Sequence, residues 1–318
     1  MANSARIVFK SVRDFSSLAV AIGLLLSIIL SIFVGKTDLN WQVALALIAI
    51  AIGIPHGAVD HLIALKSSSK LKMASLISGY VAIAAVAVLA ILKWNVLGFQ
   101  LVLVMSFLHF GFGDMAFISE TDRLSSKAQI SWPLKFSYAL AIGSVPVLIP
   151  LTKQSSINAL AKVNPHLINW AGSYAHGIYL VTLIWAGLCV ILLLKDRRIR
   201  ELLDLLLLVL LAVITPPLVA FALYFGSWHA MRHTARLTLL LPKSIKAAEN
   251  GKSVSSFFSA VLPGLPALAL TLIVAAVITL AKGGNISANY LWYLLVVVWA
   301  LTVPHMMVTA RIDRKALR

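Results

Sequence analysis

Three observations predict an all-α fold, a polytopic membrane bundle of about ten transmembrane helices. The 318-residue chain is 60% apolar and only 12% charged, against roughly 45–50% apolar in soluble domains, and its mean hydropathy is +0.95. Apolar runs recur that can cross a hydrocarbon core of about 30 Å, which takes about 20 residues of helix. The 27 Lys and Arg concentrate in every second loop, the asymmetry expected of a membrane protein.

The elements follow in order. Residues 1–15 are a basic segment ahead of span one, 16–35. A basic start before an apolar run also describes a signal peptide, but this run passes into "FVGKTD" without a small-residue cleavage site, so a retained helix is expected. Span two, 41–65, contains "GIPHGAVDH"; span three is 73–92; span four, 96–118, contains "LHFGFGDM". Span five is 130–150. Span six, 170–194, holds the single cysteine, Cys189, which excludes an intrachain disulfide and reads as a small apolar filler. Span seven, 201–215, is short, and only Pro216 and Pro217 separate it from span eight, 217–240, so the two are either a tight hairpin or one broken helix. Spans nine and ten, 256–281 and 288–310, precede a basic tail, 311–318. The loops are too short for a separate domain, so 16–310 is read as one transmembrane domain.

With ten spans and a cytoplasmic N-terminus, 21 basic residues fall on the inner side, Lys66 and Arg311 among them, against five outside: Lys36, Lys93, Lys153, Lys162 and Lys282. Arg232 lies within a span. The pattern predicts a multi-pass protein of the cell inner membrane with both termini cytoplasmic. It also accounts for the net charge of +16 without nucleic acid as a partner.

Ionisable groups within spans are expensive and therefore functional candidates. Span two carries His56, Asp60 and His61; span four His109 and Asp114; span eight His229, Arg232 and His233; span ten His305. All four spans are even-numbered and hence parallel. His56 lies ten residues before Lys66, His109 eleven before Glu120, His229 seven before Arg236 and His305 six before Arg311, so at about 1.5 Å per residue the rings share one layer in the cytoplasmic half of the bilayer. His176, near the outer end of span six, and His166, in an outer loop, do not fit that layer.

His229 and His233, related by i,i+4, share one helix face. A pair at this spacing can supply two ligands to one metal, and with His56 and His109 at matching depth the set suits a transition ion such as Fe, Zn or Cu. Asp60, four residues after His56, is placed to orient its ring. Asp114 either does the same across helices or pairs with Arg232. The glycines around the histidines, Gly53, Gly57, Gly111, Gly113 and Gly226, serve close helix packing or leave room for a bulky ligand. Pro55 and Pro304 each precede a histidine and kink the helix there.

Four motifs, "GIPHGAVDH", "LHFGFGD", "WHAMRH" and "TVPHM", in that order from span two to span ten, resemble the Brp/Blh family of integral-membrane β-carotene 15,15'-dioxygenases. The resemblance implies Fe(2+)-dependent cleavage of the central double bond of β-carotene with O2 to two all-trans-retinal, and a retinal-binding rhodopsin as a consumer of the product. It implies iron ligation by His56, His109, His229 and His233, with His305 beside the site as a supporting or pocket residue; no ligand role carries over to His61. The polyene would lie in a dry tunnel lined by Phe110, Phe112, Tyr224 and Trp228. Two other readings remain open from the residues: a haem-binding electron carrier with paired axial histidines, and an ion- or proton-coupled transporter using Asp60, Asp114 and Arg232.

Overall fold

The computed structural model describes residues 2–35, 38–64 and 69–318. Lys36 and Lys66, which enter the charge pattern, and Leu65 at the end of span two lie outside the described residues. Among the described residues every regular element is helical, as predicted. The α-helices are α1 (Ala2–Leu30), α2 (Leu39–Gly57), α3 (Asp60–Ala64), α4 (Lys70–Lys93), α5 (Asn95–Leu124), α6 (Trp132–Thr152), α7 (Ser156–Val163), α8 (Ala175–Lys195), α9 (Ile199–Ile214), α10 (Pro217–Ala222), α11 (Ala230–Leu237), α12 (Pro242–Glu249), α13 (Ser253–Val261), α14 (Leu265–Ala281) and α15 (Ile286–Leu317). A π-helical stretch, Leu223–His229, joins α10 to α11.

Among the described residues, 8 segments are long and apolar enough to cross a membrane. They carry spans one to six, nine and ten. The 16-residue α9 and the α10–α11 segment stand where spans seven and eight were read. Thr215 and Pro216 between them are extended, because proline offers no N–H to continue α9, so these are two helices and not one broken one. Side chains such as Leu25, Phe33, Leu89, Ile184 and Val277 are exposed, as a surface solvated by hydrocarbon allows.

Small residues set the closest helix contact. Where α5 meets α6, a Cβ on Gly111 would overlap the Ala139 carbonyl oxygen, and one on Gly143 would overlap that of Phe107. The two backbones touch because neither glycine has a side chain. Phe9 of α1 stacks on Phe117 of α5 with ring centres 5.1 Å apart, and both belong to the same buried core as Tyr138 and Ile142 of α6.

Polar bonds then tie the ends of the bundle. Arg13 of α1 pairs with Glu201 and Asp204 of α9, each at 2.9 Å. Arg198 pairs with Asp122 of α5 at 2.6 Å. Arg123 donates to the Ala316 carbonyl, and Lys135 of α6 donates to that of Leu317 at 3.0 Å. The N-terminal half of α1 and the end of α15 therefore lie at the same end of the bundle. At the opposite end Lys153 donates to the carbonyls of Ala212, Val213 and Thr215, acceptors that the last turn of α9 leaves without helical partners.

Candidate metal centre

Five histidines from four separate stretches of chain converge inside this bundle. Pro55 sits in the last turn of α2, directly before His56. His109 is in α5. The π-helical stretch ends at His229, and α11 follows with His233; wide turns of this kind recur at functional sites. His305 follows Pro304 within α15. All five rings are buried.

Their ring centres lie close together. His56 is 5.2 Å from His229, 5.0 Å from His233 and 5.6 Å from His305. His109 is 5.0 Å from His229, 6.3 Å from His233 and 5.0 Å from His305. His233 is 5.9 Å from His229 and 5.4 Å from His305. His56 Nδ1, His109 Nε2, His229 Nε2, both nitrogens of His233 and His305 Nε2 are buried without a hydrogen-bond partner, the His56 ring only approaching the Gly53 carbonyl. A buried polar atom left unpaired costs about 1–3 kcal/mol, so a whole cluster of them calls for something to bind.

A metal ion fits that requirement. Among the described residues no three His, Cys, Asp or Glu side chains are drawn into bonding geometry around one point. The donors nevertheless match: neutral imidazoles with free lone pairs are transition-metal ligands, and rings bound at about 2.0–2.1 Å from one ion stand about this far apart centre to centre.

His56, His109, His229 and His233 are thus brought together as the sequence suggested, and His305 joins them as a member of the cluster. Asp60 is displaced from its expected partner. The chain turns at Ala58 and Val59 between α2 and α3, so Asp60 is not one helical turn from His56, and its Oδ2 instead accepts from His305 Nδ1 at 2.8 Å and from Tyr80 Oη at 3.1 Å. Asp114 takes the second of its two readings: its Oδ1 accepts from Arg232 Nη1 at 2.9 Å and from Trp228 Nε1 at 3.1 Å. Trp228, expected in the tunnel, is buried under the Arg232 guanidinium, 3.5 Å from its ring centre, because its N–H and its face both serve that ion pair. His61 bonds the Ala58 carbonyl at 3.1 Å, and His166 and His176 are exposed.

Two cavities adjoin the cluster. One, of about 810 Å³, is lined by His109 and Phe112 and reaches the surface at Trp132 and Arg318. The other, of about 130 Å³, is almost wholly apolar and is lined by Phe110, Tyr224 and Phe225. Phe110 touches both the site and the second cavity, its ring centre 4.3 Å from His229 and 5.4 Å from Tyr224.

Three participants were not singled out from the sequence. Tyr80 reaches Asp60 across helices and leaves no local signal. Thr309 places Oγ1 3.5 Å from His109 Nδ1, and its position one turn after His305 was the available clue. Arg236 pairs with Glu120 at 2.8 Å and with Asp313 at 2.6 Å, which fastens α11, α5 and α15 together just beyond the histidines each of them carries.

Known proteins resemble the stretch of chain that carries the site. A family model described as Beta-carotene 15,15'-dioxygenase matches residues 47–313, a stretch that contains all five histidines. A protein named Beta-carotene 15,15'-dioxygenase from uncultured marine bacterium 66A03 is 29% identical over 207 residues, 63% of this chain and 70% of that one. No solved structure matches.

Proposed function

This chain belongs to the Beta-carotene 15,15'-dioxygenase family, and from that premise we propose that it is a non-haem iron enzyme of the cell inner membrane that splits the central double bond of β-carotene with O2 into two all-trans-retinal. The observation that carries the reading is the position of the histidine cluster between two cavities. Along α15, Val298, Trp299 and Thr302 line the smaller cavity and Met306, Thr309 and Ala310 the larger, with His305 between the two sets. The linings reach Leu291 on one side of His305 and Arg318 on the other, about 20 Å each way from His305 at 1.5 Å per residue. Two arms of similar reach on either side of one reactive centre suit a symmetric polyene cut at its middle.

His56, His109, His229 and His233 would hold ferrous iron, which supplies the activation of O2 that a closed-shell polyene does not react with unaided. The remaining work is positioning and exclusion. A hydrocarbon has no polar handle, so Phe110 against His229, with Tyr224 and Phe225 beyond it, recognises the chain by shape and apolar contact. The smaller cavity lies below the usual size of a ligand pocket, about 300 Å³ upward, so its lining must part to admit one arm of the substrate. The larger cavity reaches the exposed Trp132, beside which a lipid-dissolved carotenoid can enter from the bilayer.

One O2 and one C=C become two aldehydes, so the reaction requires no leaving group and no external reductant. That agrees with a site whose carboxylates are committed to other partners, Asp60 to His305 and Tyr80, Asp114 to Arg232 and Trp228. Expression in cells that accumulate β-carotene is the test. Two retinal are expected for each β-carotene lost; a pair of unequal apocarotenals, or no loss of pigment, would overturn the reading.

A further inference from the structure

We propose that His305 is a fifth imidazole donor to the metal, with Asp60 and Tyr80 fixing the ring state in which it binds. The proposal rests on the reading of the cluster as a metal centre and extends the ligand set beyond His56, His109, His229 and His233. Three observations carry it. The His305 ring lies 5.0 Å from His109, 5.4 Å from His233 and 5.6 Å from His56, the same spacing that the other four show among themselves. Its Nδ1–H donates to Asp60 Oδ2 at 2.8 Å. Its Nε2 is buried and unpartnered, and it shares the interior with the unpaired nitrogens of the other four rings.

Those facts restrict the role of the ring. With Nδ1 donating to a carboxylate, a second proton on Nε2 would be a buried N–H with no acceptor in reach, which is costly. The arrangement without that cost is the neutral tautomer, protonated at Nδ1, with its Nε2 lone pair open to a cation. A carboxylate on the far nitrogen of a metal-bound histidine fixes the tautomer and raises the basicity of the bound nitrogen. Tyr80 in turn donates to the same Asp60 oxygen at 3.1 Å.

The alternative is a core histidine that merely holds Asp60. Iron content and Co2+ binding, followed through the visible d–d absorption of the cobalt form, separate the two for purified wild type, His305→Ala, Asp60→Asn and His61→Ala. We expect one metal per wild-type chain and an unchanged His61→Ala. Asp60→Asn should bind about 10–100-fold more weakly. His305→Ala should lose affinity, show a stronger d–d band as the coordination number falls, and shift back toward wild type when free imidazole is added. Should the alanine variant fail to fold, His305→Gln keeps a donor for Asp60 but offers an amide oxygen in place of Nε2, and its cobalt spectrum must differ from wild type. A wild type that binds no metal sinks the metal-centre reading itself; a wild type that binds, with His305 variants of equal affinity and identical spectrum, sinks only the fifth ligand.

Discussion

Arg232 Nη1 lies 2.9 Å from Asp114 Oδ1, with both side chains buried. Arg232 also reaches Asp204 at 3.3 Å, and Asp204 takes Arg13 at 2.9 Å, so one ionic chain joins α11 to α5, α9 and α1 and fixes the helix that presents His233. Buried pairs add little net stability when intact, but removing one partner strands a charge at a cost of about 3–5 kcal/mol. Asp114→Ala should therefore lower the detergent-solubilised melting temperature sharply, and Asp114→Asn, which keeps an acceptor, should lower it less. Equal melting of Asp114→Ala and wild type would mean that the pair does not form.

Arg236 performs a related task on the other side. Its bonds to Glu120 and Asp313 link the helices bearing His233, His109 and His305 without touching any ring. Arg236→Met should weaken metal retention during dialysis and reduce turnover in proportion. Glu120→Gln combined with Asp313→Asn should cost less than the sum of the two single changes, because the three side chains form one unit.

The histidine panel makes a sharper claim. His56→Ala, His109→Ala, His229→Ala and His233→Ala should each abolish retinal formation, whereas His61→Ala, His166→Ala and His176→Ala should retain it, since none of these last three rings enters the cluster. Chromatographic assay of retinal decides it ring by ring. Full activity in any of the first four variants removes that residue from the centre.

Orientation is testable apart from chemistry. A reporter fused after Arg318 should lie in the cytoplasm and one placed near Asn285 on the opposite side, as the charge asymmetry requires. Both reporters on one side would mean that α15 does not cross.

What could be read from the sequence follows from range. Spans one to six, nine and ten were legible because hydrocarbon demands continuous apolar helix, and the convergence of the histidines was legible from their matching depth on spans read as parallel. His229 and His233 fell on one face through simple helical periodicity. Asp60 was misplaced by the same reasoning: the i,i+4 rule assumes an unbroken helix, and the turn at Ala58 and Val59 redirects the carboxylate to His305, 245 residues away in sequence. Trp228 could not be assigned from an aromatic's identity alone, because its N–H found Asp114, 114 residues distant. Contacts between spans carry no local signal, and that is where the supports of the site are made.

The two cavities yield the last prediction. Val298 lines the smaller arm and Ala310 the larger, on either side of His305. Tryptophan at either position should obstruct one arm and reduce cleavage of β-carotene while leaving metal content unchanged, since neither residue is one of the clustered histidines. A carotenoid truncated at one end should still be cut by each variant, because it can enter with its short end toward the filled arm. If Ala310→Trp blocks β-carotene and Val298→Trp does not, the substrate occupies a single cavity, and the symmetry of the two arms is not what sets the cleavage position.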